Sequence, residues 1–237
     1  IAEATQVRIN EFNPLGLANI AGAFATLNHA APSMFDDVAS AAQVRIKEFS
    51  SHQLAKLAWA FATLNQQAES LFDAIASVAK VRIKEFSPHQ LAKLAWSFAT
   101  LNQEAESLFD AVARFSPECI DDFNSQDLSR TAWAFAALSY DAPALFDAIA
   151  TTSQGRIREF SPHQLADTAW AFATLNHEAP SLFDAIARRA ALMRIHDFSP
   201  QAISQTAVAF AMLNHEAKSM FDAIAKAAPA CIGDFNP

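Results

Sequence analysis

The stretch FSPHQLAKLAWSFATLN at 86–102 alternates apolar and polar residues with a helical period. At about 100° per residue, Leu91, Leu94, Ala95, Phe98 and Leu101 fall on one arc, which predicts a helix that buries this side within its own neighbourhood. Trp96 lies off that arc beside Ala92 and Ala99, so the helix has a second apolar flank that only a neighbour could cover. Ser87 as N-cap, Pro88 at the first helical position and Gln90 three residues after the serine form a capping box that starts this helix, here termed helix A. A second segment begins near Ala105, or in other copies at Pro32, Pro143 or Pro180, and runs through an SLFDAIA-type core to an RIKE-type ending. It predicts a second helix, helix B.

This two-helix pattern recurs along the chain. Its first residue is Phe12, Phe49, Phe86, Phe123, Phe160, Phe198 and Phe235, at spacings of 37, 37, 37, 37, 38 and 37 residues. The expected repeats are 12–48, 49–85, 86–122, 123–159, 160–197 and 198–234, with 1–11 as the end of a preceding repeat and 235–237 as the start of a further one. Residues 1–11, IAEATQVRINE, match the repeat ending IASVAKVRIKE at 75–85, so an array continuing past both ends is expected. Units of this kind bury little alone and are stabilised by stacking, so the predicted fold is an all-α solenoid of tandem two-helix repeats. Trp59, Trp96, Trp133 and Trp170 share one repeat position, replaced by Gly22 and Val208 in the outer units, so the middle should pack better than the ends.

Composition narrows the possibilities. Gly is rare, with 4, while Ala is abundant, a pool that favours helix. Hydrophobic residues make up 52% and charged residues 18%, which excludes a disordered chain. A formal charge of −8 argues against indiscriminate binding to nucleic acid or anionic lipid, so any basic surface must be local. No apolar stretch reaches the roughly 20 residues of a membrane span, and no targeting segment is legible at the start.

The residues FSPHQLAKLAWSFATLN followed by SLFDAIA resemble the octotricopeptide repeat family, and the similarity spans essentially the whole chain. That resemblance implies two-helix repeats of about 38 residues that bind single-stranded RNA at about one nucleotide per repeat. It also implies a chloroplast or mitochondrial setting and a role in RNA processing, stability or translation. Some relatives are implied to be building blocks of organellar assemblies.

Candidate binding residues follow from the helix A wheel, with each repeat's Phe counted as position 1. Opposite the core arc lie positions 5, 8, 12 and 15. Position 12 is small (Ala23, Ala60, Ser97, Ala134, Ala171, Ala209) and is expected to leave a groove. Position 8 varies most among near-identical neighbours, reading Asn19, Lys56, Lys93, Arg130, Asp167 and Gln205, as expected of one base reader per repeat. Position 5 adds Gln53, Gln90, Asp127 and Gln164, which suit base edges and, for the glutamines, equally suit capping boxes. Arg8, Arg45, Arg82, Arg156 and Arg194 stand four residues before the next Phe. They are candidate phosphate contacts, or else C-terminal helix cations paired with Glu48, Glu85 or Glu159.

The Asp of each LFDA motif is expected to bond within or between repeats. His52, His89 and His163 occupy equivalent positions separated by at least one repeat of about 10 Å, too far apart to share a metal. Cys119 and Cys231, roughly 30 Å apart on the same packing, are expected to stay as thiols. No P-loop, dinucleotide fingerprint or nucleophile elbow is present, so no catalytic residue, metal ligand or cofactor is expected. Single-stranded RNA is the expected partner. The open alternative is a protein-binding scaffold in an organellar ribosome or other large complex, suggested by the acidic balance and by the lack of an evident exposed aromatic series.

Overall fold

A computed structural model describes residues 9–193 and 197–231. It is all-helical, and no strand occurs among the described residues. The helices alternate between A and B types: α1 Pro14–Thr26, α2 Pro32–Val44, α3 Ser51–Thr63, α4 Glu69–Val81, α5 Pro88–Thr100 and α6 Glu106–Phe115. Then follow α7 Ser125–Ala137, α8 Pro143–Gly155, α9 Pro162–Thr174, α10 Pro180–Leu192, α11 Pro200–Met212 and α12 Lys218–Cys231. No helix is long and apolar enough to cross a membrane among the described residues.

The chain forms two compact units, Ile1–Ser116 and Pro117–Pro237. In the first, α1, α3 and α5 stack on one another as one layer, with α2, α4 and α6 as the other; in the second, α7, α9 and α11 stack likewise beside α8, α10 and α12. Each unit is thus an α-solenoid segment. The A helices contact their neighbours far more extensively than the B helices do. Small flanking residues allow this: Ala55, Ala58, Ala92, Ala95, Ala132, Ala166 and Ala169 are all buried, and alanine lets helix backbones come close.

A ring contact joins each pair of consecutive repeats inside a unit. The Phe of the LFDA motif meets the helix A Phe of the next repeat: Phe35–Phe61 and Phe72–Phe98 lie 4.8 Å apart between centroids, edge to face. In the second unit the equivalent rings Phe146–Phe172 at 4.8 Å and Phe183–Phe210 at 4.9 Å meet with planes inclined by 57° and 59°. These offset geometries suit the aromatic quadrupole, and truncating such a buried ring typically costs about 3–5 kcal/mol.

Local signals explain the helix limits. Ser50/Gln53, Ser87/Gln90, Asn124/Asp127 and Ser161/Gln164 all form reciprocal capping boxes at the start of helix A. Each helix A ends with a residue in the left-handed region, Asn28, Asn65, Asn102, Ser139, Asn176 or Asn214, at φ between 49° and 54°. The following N–H donates to the carbonyl of the helix A Phe, for example Gln66 to Phe61 at 2.8 Å and His177 to Phe172 at 2.9 Å. This is the Schellman closure, for which asparagine is the best residue after glycine.

Helix B is tied back to the start of its own repeat by an arginine. The Arg45 Nη1 donates to the Phe12 carbonyl at 2.9 Å, Arg82 to Phe49 at 2.8 Å and Arg156 to Phe123 at 2.7 Å. The Nη2 of each donates to Glu48, Glu85 or Glu159 at 2.6, 2.6 and 2.7 Å. In the third repeat Cys119 stands where the first, second, fourth and fifth have this arginine. There α6 is 10 residues long against 13 for α2, α4, α8 and α10, and Cys119 sits at a kink with φ −130°. Pro117 cannot donate the hydrogen bond that would continue α6, and the division between the units falls at this proline.

The hydrogen bond from its arginine holds each paired glutamate below its ordinary value. Stability from this source is therefore fully present above the ordinary carboxylate range and declines as pH falls through it. Replacing Arg82 by Met is expected to destabilise the chain by on the order of 1 kcal/mol at neutral pH, since the Phe49 carbonyl loses a charged donor. The gap to the native chain should narrow in acid. Urea titrations at several pH values check this, and an Arg82→Met chain as stable as the native one at neutral pH would show the tie to be unimportant.

Candidate nucleic-acid interface

In each unit the open face of the A layer is reached by positions 4, 8, 11 and 15. Position 4 is exposed at Leu15, His52, His89, Gln126, His163 and Gln201. Position 8 is exposed at Asn19 and half-buried at Lys56, Lys93, Arg130, Asp167 and Gln205. Trp59, Trp96, Trp133 and Trp170 at position 11 are each part exposed, so an aromatic series does reach the surface, contrary to the sequence expectation. The sequence wheel also placed position 12 on this face, and that expectation is corrected for five of its six residues: Ala60, Ser97, Ala134, Ala171 and Ala209 are buried, while Ala23 is exposed. Close A-to-A packing uses the five buried residues as contact surface, so they leave no groove.

Position 8 of one repeat leans onto the preceding repeat. In the first unit the Lys56 Nζ donates to the Asn19 Oδ1 at 2.8 Å. Its stem lies over Gly22, where an added Cβ would come within 2.4 Å of the Lys56 Cε. The glycine thus opens the place that tryptophan fills in the next repeats. One repeat on, the Lys93 Nζ sits 5.4 Å from the centre of the Trp59 ring, a cation–π contact.

In the second unit the same column has a different charge balance. Arg130 is drawn below its ordinary value by burial, opposed by Asp127 and Asp167. Burial pushes the Asp167 carboxyl above its ordinary value against the attraction of His163 and Arg130. The His163 Nε2 is 3.4 Å from the Asp167 Oδ2. The Trp133 and Trp170 rings are neighbours, with centroids 6.4 Å apart and planes inclined by 33°.

The position 5 side chains are engaged at helix starts. The Gln53 Oε1 accepts from the Ser50 N–H at 2.9 Å, Gln90 from Ser87 at 3.1 Å and Gln164 from Ser161 at 2.9 Å. Asp127 is only 2% exposed and its carboxylate accepts from the Asn124 N–H at 3.4 Å. Arg45, Arg82 and Arg156 hold the ties described above, so the expected pairing with glutamate is present together with a carbonyl contact that the spacing did not reveal. Arg8 and Arg194 lie outside the described residues.

Two of the LFDA aspartates bond between repeats, as expected: the His177 Nε2 is 3.0 Å from the Asp147 Oδ1, and the His215 Nε2 is 3.0 Å from the Asp184 Oδ1. Burial, with Asp122 and Glu118 nearby, pushes the Cys119 thiol up and away from thiolate chemistry. The side chain of Cys231 is outside the described residues. No group of three potential metal ligands occurs among the described residues. Sequence reasoning missed position 4 and the accessible side of the tryptophans. The tryptophan's place off the core arc is the available signal, and it points only to a flank that a neighbouring repeat could cover.

Because the folded state binds a proton at Asp167 more tightly than the unfolded chain does, the ionised carboxyl costs stability as pH rises through its raised value. Asp167→Asn is expected to raise the thermal midpoint at neutral pH, with the gain shrinking as pH falls through the carboxylate range. Scanning calorimetry at matched pH values checks this. A variant less stable than the native chain at neutral pH would mean that Arg130 and His163 outweigh burial.

A protein-family model described as RNA-editing substrate-binding complex 6 protein matches residues 3–233, nearly all of the 237-residue chain. No curated protein matches the chain. The family's description does not name the octotricopeptide repeat, and it agrees with the coarser reading of an RNA-associated helical repeat protein. With stacked two-helix repeats within each unit and a match of this extent, the chain belongs to the RNA-editing substrate-binding complex 6 protein family.

Proposed function

We propose that this chain is a helical scaffold that binds single-stranded RNA on the open face of its A layer. Its role is binding rather than catalysis, within an assembly that handles RNA-editing substrates. The observation that carries the reading is the separation of charge between the two layers of the first unit. The A helices α1, α3 and α5 contain Lys56 and Lys93 and no acidic residue. The B helices α2, α4 and α6 contain Asp36, Asp37, Glu69, Asp73, Glu106 and Asp110 against Lys80 and Arg114. An acidic protein can therefore present a locally basic track, bordered by the part-exposed Trp59 and Trp96 on which unpaired bases stack.

The family description supports an RNA setting, and the octotricopeptide resemblance supports position 8 as the column that meets the RNA. A chloroplast or mitochondrial location belongs to the same proposal and rests on that resemblance. The exposed acids of the B layer favour a second, compatible role, in which a basic protein docks on the opposite side.

Titration of the chain with a pool of random single-stranded RNA at low and high salt tests the reading. Saturable binding that weakens as salt rises is expected. Lys93→Asn is then expected to weaken binding across the sequences of the pool, because the track loses one of its two lysines. Absence of saturable binding at low salt would overturn the proposal and leave the scaffold without an RNA role.

A further inference from the structure

We infer that the RNA-binding track lies in the first unit, as two different nucleotide subsites, and that the corresponding face of the second unit repels phosphate. This rests on the single-stranded RNA reading and refines it. The inter-repeat register places position 8 of one repeat against positions 8 and 11 of the repeat before it, so each junction is a small site with its own chemistry. At the first junction the Lys56 ammonium is bonded to the neutral amide of Asn19, and Gly22 stands where the next repeat has Trp59. This subsite offers a cation for a phosphate and an amide for a base edge. At the second junction the Lys93 ammonium lies over Trp59, so a phosphate at the ammonium brings its base alongside an indole.

The equivalent junction of the second unit has Asp167 in the place of Lys93. There Arg130 has Asp127 and Asp167 as charged neighbours, and Asp167 has His163 and Arg130. The cation is balanced by acids of its own helix and the next, and a carboxyl stands where a phosphate would approach. The A helices α7, α9 and α11 together carry Asp127, Arg130 and Asp167, whereas those of the first unit carry lysine alone. The chain's most variable column thus separates a phosphate-accepting half from a phosphate-rejecting one.

The test is the salt dependence of oligouridylate binding by the whole chain and its variants, with circular dichroism as a check on folding. Each single-strand phosphate contact contributes about 0.7 to the slope of log affinity against log salt concentration. Lys56→Gln and Lys93→Gln are each expected to lower the slope by about that amount, while Arg130→Gln leaves slope and affinity within about twofold of native. Asp167→Lys is expected to tighten binding and steepen the slope by about 0.7, and Asp167→Asn to tighten it without changing the slope. Trp59→Leu is expected to weaken binding about tenfold with the slope unchanged, because a stacking contact carries no counterion.

Equal losses for Arg130→Gln and Lys93→Gln, or no gain from either Asp167 variant, would overturn the division between units while leaving RNA binding itself intact. Oligouridylate binding that none of these variants alters would place the RNA elsewhere and refute the subsites. No binding by the native chain would remove the underlying reading and this inference with it.

Discussion

The inclined ring contact between the LFDA phenylalanine of one repeat and the helix A phenylalanine of the next is the constraint on which the other features rest. It occurs at Phe35–Phe61, Phe72–Phe98, Phe146–Phe172 and Phe183–Phe210 with nearly constant separation, 4.8 to 4.9 Å. Neither ring could be buried by its own hairpin, so a repeat is incomplete until another stacks on it. Phe221, against which no such ring is described, remains 38% exposed. Once the pair forms, the register between repeats has no freedom to slip by a residue, because alanines fill the adjoining A-to-A contact.

That fixed register turns a variable sequence column into chemistry. Lys56 meets Asn19 and Gly22, Lys93 meets Trp59, and Arg130 and Asp167 share one electrostatic environment. A substitution at position 8 therefore changes a junction between repeats as well as a point on the surface. The arginine ties keep the first, second and fourth hairpins closed while leaving the open A face to other residues. Charge is distributed accordingly, with acids concentrated on the B layer of the first unit and lysines on its A layer.

Much of this was legible in the amino-acid order. The Phe spacing located every helix pair, and Ser-Pro-His-Gln together with Ala-Pro marked helix starts that the backbone confirms at Pro88, Pro162, Pro32, Pro143 and Pro180. The face assignment was less accurate, because a helical wheel sees one helix at a time. Position 12 looked open on the wheel, yet in the stack its alanines are the surface on which the neighbouring A helix lies. Position 11 looked covered, yet an indole is too large to vanish between closely packed helices and keeps one side accessible. The Asn that ends five of the six helix A segments was visible as a recurrent Leu-Asn pair, but its left-handed conformation depends on the Schellman bonds and not on spacing. The arginine ties join residues 33 apart and could not be read from a local pattern.

Photochemical cross-linking of the whole chain to a single-stranded RNA, with the adducts located by mass spectrometry, tests the central claim most directly. Adducts concentrated on α3 and α5, at Trp59, Trp96 and the residues beside Lys56 and Lys93, are the predicted result. Adducts concentrated on the B helices, or spread equally over the A helices of both units, would contradict it.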